Sequence, residues 1–401
     1  MLTRDYIELE DTYNARNYHP LDVVITRGEG IWVWDVEGHK YLDCLSAYSA
    51  LNQGHRHPRI VEALVEQAQK LTLTSRAFRN DQLPLLAKEL CDLTGYGMML
   101  PMNSGTEAVE TALKAARLWG YRVKGIPDSK AEIIACSHNF HGRTISILAM
   151  STEELYRDGF GPFTPGFKVV HYGSAEALER AITPNTAAFL VEPVQGEAGV
   201  IVPPDGYLRQ VREICDRHNV LMIADEIQSG LGRCGQWLAC DWEDVTPDLV
   251  TIGKALSGGM MPVSAVVGTR EVLGLFEPGS HGSTFGGNPL ACAVARASLK
   301  VLADERLPER ACELGVTFRN GLREIKSPRV KEVRGKGLLI GVELTPEAGP
   351  ARPYVQALQE RRVLAKDTHG NVIRFAPPLV IRKEDIDFIL KQAREVLLLD
   401  F

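Results

Sequence analysis

Short apolar runs rich in β-branched residues alternate with amphipathic stretches through the middle of the chain. Glu132–Cys136, Ala187–Glu192, Val220–Ala224 and Asp248–Ile252 are nearly all apolar. Runs of that kind read as strands covered on both faces, and so as a parallel sheet. Between them lie helical patterns. In Pro58–Leu71, the residues Ile60, Leu64, Ala68 and Leu71 share one face. A short strand from Met98 leads into a helix over Ala108–Leu118. The pattern changes after about Leu290. Leu290–Leu302 predicts a long helix, Lys331–Leu344 a strand, the residues around His369–Asn371 a hairpin, and Lys383–Leu398 a final amphipathic helix. The first fifty residues look irregular and are expected to pack across both lobes. The expected fold is α/β, a large domain with a mostly parallel central sheet plus a smaller α+β C-terminal domain. The expected boundaries are 1–50 for the N-terminal segment, 51–290 for the large domain and 291–401 for the small one.

The 401 residues are 45% hydrophobic, enough for a sizeable core, and the net charge of −6 comes from interspersed acids and bases. That leaves no basic footprint for nucleic acid or an anionic membrane. The N-terminus lacks the apolar core of a secretory signal and the arginine-rich character of a transit peptide. No apolar run approaches the roughly 18 residues that span a bilayer. Eight thinly spread cysteines form no C-x-x-C pair, which fits a reduced, cytoplasmic protein.

Ligands of open parallel sheets gather beyond the carboxyl ends of the strands. Lys254 follows the apolar run Asp248–Ile252 and precedes a glycine-rich stretch. A desolvated amine there has a lowered pKa and can condense with an aldehyde; the plain alternative is a surface lysine. Asp225 ends Val220–Ala224 with a charge, which a protonated pyridine nitrogen would balance; the alternative is a helix cap. Ser104 and Glu107 have capping-box spacing, and with Gly105 they make a helix N-terminus suited to an anion such as phosphate. Ser283 or Thr284, in His281–Pro289, could add a hydroxyl. Phe140 could stack on a flat ring, and Arg143 is a fork suited to a carboxylate. Each signal is weak alone. Aldehyde anchor, ring-nitrogen partner, stacker, phosphate cup and carboxylate binder are together what one cofactor needs.

These residues resemble the ornithine aminotransferases, within the fold-type-I, class-III aminotransferases that use pyridoxal 5'-phosphate. The similarity runs along essentially the whole chain. It is carried by Asn17–Pro20, Leu45–His55, Leu73–Phe78, Phe140–Thr144, Glu192–Gly199, Ala224–Gln228, Gly253–Ser257, His281–Gly287 and Ile373–Pro378. Asn17–Pro20, Leu45–His55 and Ile373–Pro378 point to ornithine. The resemblance implies that Lys254 holds the cofactor and shuttles the proton, and that Asp225 pairs with its ring nitrogen. It implies that Gln228 meets the ring hydroxyl, Phe140 stacks, and Gly105 and Thr106 hold the phosphate. His141 would be a wall of the site. Thr284 would reach the neighbouring subunit's cofactor, so the active sites would be shared in a homodimer, possibly within a higher oligomer. Tyr18 and Arg143 would position ornithine, and Tyr48 would shape the channel. Glu197 would mask Arg374 while ornithine is bound and release it to 2-oxoglutarate.

N-acetylornithine and 4-aminobutyrate aminotransferases are the nearest alternatives. A non-catalytic cofactor binder is a further class, and a nicotinamide enzyme lacks its glycine fingerprint, since Gly335-Lys-Gly337 precedes a strand. His55-x-His57 has no carboxylate or cysteine partner by spacing, so no metal is expected there and a turn or cap role is.

Overall fold

The computed structural model describes residues 1–399. A seven-stranded sheet lies at its centre, in the order Met98–Met102, Ser264–Gly268, Leu249–Ile252, Leu221–Asp225, Thr186–Val191, Glu132–Cys136, Phe167–Val170. Every pair from Leu249–Ile252 to Phe167–Val170 is parallel. Ser264–Gly268 alone runs against both its neighbours. The mostly parallel sheet expected from the apolar runs is therefore present. Alternate strand residues feed two cores: Ile134, Phe189, Met222 and Val250 pack on one face, and Ile133, Ala188, Ile223 and Leu249 on the other. That period of two explains why these strands carry almost no polar residues.

The long helix after Leu290 spans Pro289–Asp304, capped by the Asn288 side chain, which accepts from the Ala291 N–H. It packs on helices Pro58–Lys70 and Gln82–Thr94. Beyond it, Val330–Lys336, Leu339–Leu344, Val372–Phe375 and Lys366–Thr368 form a four-stranded antiparallel sheet. The hairpin around His369–Asn371 and the final helix, Lys383–Leu397, are where the pattern placed them. The single strand expected over Lys331–Leu344 is a hairpin instead. Gly335 and Gly337 turn the chain at φ of 145° and 51°, and a Cβ on Gly337 would meet the backbone of Arg233–Gly235 within 2.4–2.5 Å.

The first fifty residues are not irregular. A helix, Thr3–Tyr13, precedes three antiparallel strands, Ile25–Glu29, Trp32–Asp35 and Lys40–Asp43. Alternation hides Val33 and Tyr41 while the Lys40 ammonium covers the Trp32 ring at 3.9 Å. A fourth strand, Val363–Leu364, pairs in parallel with Leu42–Asp43. Such short strands, completed by a distant segment, leave little local signal. Among the described residues no helix is long and apolar enough to cross a membrane.

Candidate active site

Four neighbouring strands of the central sheet release their chains at one edge, and a cavity of about 200 Å³ opens there. Its walls are Ser104–Thr106, Phe140–Gly142, Glu192, Val194, Asp225, Ile227, Gln228 and Lys254. The anion cup forms as its sequence demands. Ser104 caps helix Gly105–Arg122, accepting from the Glu107 N–H, while the Glu107 carboxylate accepts from the Ser104 N–H at 2.9 Å. The first-turn amides of that helix face the cavity with the positive end of the helix dipole. Gly142, at φ 126°, closes over this turn. A Cβ there would meet Thr106 Oγ1 at 2.3 Å.

Asp225 ends its strand 5% exposed. Its carboxylate accepts from Thr251 Oγ1 at 2.9 Å and from the Ile227 N–H at 3.2 Å, and it lies 2.7 Å from His141 Nδ1. Burial alone would lower the His141 pKa, but the bond to Asp225 outweighs it and the pKa is raised. His141 Nε2 is buried without a partner. So His141 buttresses the carboxylate as well as walling the site.

Lys254 follows Leu249–Ile252 at φ 42°, a left-handed conformation that the packing around it must sustain. Burial lowers its pKa, partly offset by Glu197 and Asp225. Among the described residues its amine has neither a hydrogen bond nor an ion pair. An amine held this way is poised to act as a nucleophile.

A second cavity, about 300 Å³, adjoins the first across Phe140. Arg143 stands in it among aromatic faces, its guanidinium carbon 4.7 Å from the Tyr156 ring and 5.5 Å from that of Tyr18, with Nη1 donating to the Tyr18 hydroxyl at 3.3 Å. Opposite, Arg374 is 1% exposed. It meets Glu197 Oε1 at 2.7 Å and lies over the Tyr48 ring at 4.8 Å. Tyr48 reaches it from a left-handed turn, Ser46–Ser49, with φ from 46° to 72°. Gln228 Nε2 donates to the same Glu197 oxygen at 3.0 Å. This packing needs Gly196, where a Cβ would lie 1.5 Å from Gln228 Oε1.

The structure thus brings together all the expected residues except two. Ser283 is a turn residue, its hydroxyl accepting from the Gly286 N–H at 2.8 Å and the Asn103 amide at 3.0 Å. Thr284 is exposed, outside this chain's cavities. The sequence reading overlooked Glu192. It ends strand Thr186–Val191 as Asp225 ends its own, and it accepts from the Phe140 N–H at 3.0 Å. Burial, then the Asp225 charge, pushes its pKa up to about 8. His55 and His57 pair instead with carboxylates, Asp43 and Glu305, both at 2.8 Å, and His57 stands before helix Pro58–Lys70 without its side chain capping it.

A family model described as aminotransferase class-III matches residues 13–397. An ornithine aminotransferase of Geobacillus sp. (strain WCH70) is 59% identical over 394 residues, 98% of each chain. Among solved structures, the ornithine aminotransferase from Toxoplasma gondii ME49 superposes with a TM-score of 0.98 at 47% identity, covering 99% of this chain and 95% of that one. An acetylornithine aminotransferase from Elizabethkingia anophelis gives 0.90 at 51% identity, with 99% of both chains covered. A buried lysine amine, a strand-end carboxylate and an anion cup at the edge of this sheet are thus joined to a match over nearly the whole length, and the chain belongs to the class-III aminotransferases.

Proposed function

We propose that this enzyme is an ornithine δ-aminotransferase, moving the side-chain amine of L-ornithine to 2-oxoglutarate and giving L-glutamate 5-semialdehyde and L-glutamate. It acts as a cytoplasmic homodimer with shared active sites. The observation that carries the reading is the closed Glu197–Arg374 pair beside an aromatic-lined Arg143. Ornithine brings a bare methylene chain to the reacting end, whereas 2-oxoglutarate brings a carboxylate. A guanidinium that is masked for the first and free for the second serves both.

The family's cofactor is pyridoxal 5'-phosphate. The cavity fits it: an unpartnered amine at Lys254, a cup at Ser104–Thr106 that a Cβ on Gly142 would fill, and a buried carboxylate at Asp225. When bound, the cofactor supplies an aldehyde to take up the amine and an electron-poor ring to accept the electrons left when a proton departs. Lys254 would hold the cofactor's aldehyde, and its lowered-pKa amine is placed to carry the proton. Asp225, fixed by Thr251 and His141, would be the acceptor for a protonated ring nitrogen. Phe140 would cover the ring, and Gln228 would meet its hydroxyl. Arg143 binds the ornithine carboxylate as a fork, and the Tyr18 hydroxyl beside it accepts from the free α-ammonium. Glu197 swings from Arg374 when 2-oxoglutarate enters. Arg374 then takes the α-carboxylate and Arg143 the distal one.

The test is a purified assay with L-ornithine, N-acetylornithine and 4-aminobutyrate as amine donors, together with borohydride reduction and peptide mass mapping. Ornithine should be the preferred donor and the reduced adduct should sit on Lys254. A preference for N-acetylornithine, or an adduct elsewhere, would overturn the reading.

A further inference from the structure

The second cavity is also lined by three residues to which the proposed reaction assigns no role, His138, Glu153 and His369. His138 lies in the loop after strand Glu132–Cys136, Glu153 heads the short helix Glu154–Arg157, and His369 sits at the tip of the hairpin between Lys366–Thr368 and Val372–Phe375. One ligand atom from each lies within 4.8 Å of the others. The two imidazoles meet edge-on with ring centroids 5.7 Å apart, and His138 Nδ1 is 3.7 Å from Glu153 Oε1.

Three features separate this group from a chance gathering. Six of the eight other imidazoles have close partners, among them His55 on Asp43, His57 on Glu305 and His141 on Asp225. Among the described residues no side chain comes within hydrogen-bond distance of the His138 or His369 ring nitrogens. Two of the three ligands are also fixed to each other through the backbone. The His138 N–H donates to Thr152 Oγ1 at 2.8 Å, and Thr152 immediately precedes Glu153. Finally, both histidines hold left-handed backbone, φ 57° and 49°, conformations that ordinary residues avoid.

We propose that His138, Glu153 and His369 form a site for a zinc-class divalent cation, and that its occupancy slows turnover. Two imidazole nitrogens and one carboxylate oxygen suit Zn²⁺ or Co²⁺ and not Ca²⁺ or Mg²⁺, which prefer all-oxygen shells. Bonds of about 2.0–2.2 Å in a tetrahedron place ligand atoms roughly 3.4 Å apart. The group must therefore close by up to roughly 1.4 Å, within reach of side-chain rotation at half-exposed and exposed residues, and water completes the fourth position. The effect on turnover follows from the connections and rests on the proposed switch; the binding does not. His138 leads into Phe140, whereas Thr368, beside His369, donates to the Glu197 carbonyl at 2.8 Å. A cation bridging the two histidines pins the hairpin to the loop and holds Glu197 against Arg374.

The experiment titrates Zn²⁺ into the cofactor-loaded enzyme without substrate, in a non-chelating buffer, by calorimetry. A parallel titration uses Co²⁺ and reads visible absorbance. The expected result is one tight equivalent per chain and a tetrahedral Co²⁺ spectrum without thiolate charge transfer. Turnover should fall with Zn²⁺ and return on adding a chelator. H138N and H369N, which keep a residue tolerant of left-handed backbone, should each weaken binding by more than the roughly 10- to 100-fold cost of losing an outer partner. E153Q should weaken it as well. Each variant, compared with its own metal-free turnover, should lose the inhibition at Zn²⁺ concentrations that slow the parent. Absence of saturable binding, binding undiminished in both histidine variants, a thiolate signature, or inhibition that persists in those variants would each overturn the proposal. Binding is read without ornithine, so a failure of the ornithine assignment is distinguishable from a failure here.

Discussion

Glu197 Oε1 lies 2.7 Å from Arg374 Nη1, with the carboxylate side chain 25% exposed and the guanidinium 1%. Arg374 Nε and Nη2 are buried without partners, so Glu197 is the main neutralising contact of a buried charge. Removing one member of such a pair costs about 3–5 kcal/mol, because the other is left uncompensated. Any ligand carboxylate that reaches Arg374 recovers part of that cost. Glu197→Ala is therefore expected to shift kcat/KM toward α-amino donors over ornithine by about 10- to 100-fold. Product analysis separating α- from δ-transamination checks this, and an unchanged ratio removes the switch. Burial alone would raise the Glu197 pKa, but Arg374 and Gln228 bring it down to about 2. The stabilisation is thus present above the ordinary carboxylate pKa and is lost only as pH falls toward about 2. In the parent enzyme the selectivity ratio should stay flat between about pH 6 and 9.

Glu192 behaves in the opposite way. Burial, then Asp225, raises its pKa to about 8, so the folded protein keeps a proton that the unfolded chain gives up near the ordinary carboxylate pKa. Folding stability from this group is complete below the unfolded value and declines as pH rises toward about 8. In Glu192→Gln the amide oxygen still accepts from the Phe140 N–H, and the titration disappears. Urea unfolding of the cofactor-stripped variant should match the parent near about pH 5 and exceed it near about pH 9. Parallel pH profiles for the two proteins would show that Glu192 is ionised throughout.

The sheet was legible because its strands are covered on both faces. Glu132–Cys136 needed no context to be read, and the capping box at Ser104 and Glu107 declares the helix start within four residues. Asp225 and Lys254 stood out as charges closing apolar runs. The same rule applied to Thr186–Val191 finds Glu192. What could not be read depends on distant chain. The strand Lys40–Asp43 is completed by Val363–Leu364, and Arg374 meets Tyr48 only because Ser46–Ser49 winds left-handed, for which the residues give no glycine signal. His138 and His369 come together only through the hairpin, and no spacing rule finds them.

Arg143 is held by aromatic faces together with the tyrosine hydroxyls that they carry. Its guanidinium carbon is 4.7 Å from the Tyr156 ring centroid and 5.6 Å from that of Phe140. A cation over such a face gains about 0.5–1 kcal/mol at an exposed site. Tyr156→Leu removes the face and should raise KM for both ornithine and 2-oxoglutarate by roughly 2- to 5-fold, with kcat little changed. Tyr156→Phe keeps the face and loses only the hydroxyl that hydrogen-bonds Arg143, so it should fall between the parent and Tyr156→Leu. Steady-state kinetics on the two variants decide this, and equal behaviour of Leu and Phe would place the positioning elsewhere.

Thr284 is where the proposed assembly meets the chemistry. The Gly286 N–H and the Asn103 amide fix Ser283, so the turn is rigid, while Thr284 and Phe285 project outward, Phe285 49% exposed. Neither side chain lines the two cavities of the candidate site. In the proposed homodimer with shared active sites, the Thr284 hydroxyl would be the group that donates to the phosphate held in the partner's cup. A hydrogen bond to a charged group contributes about 1.5–3 kcal/mol. Thr284→Ala should therefore release cofactor roughly 10- to 100-fold more readily on dialysis, and Thr284→Ser should restore retention. Sedimentation must still find a dimer in the alanine variant, because loss of the dimer would release cofactor for a different reason. An alanine variant that remains dimeric and keeps its cofactor as firmly as the parent would mean that each cup is complete within its own chain.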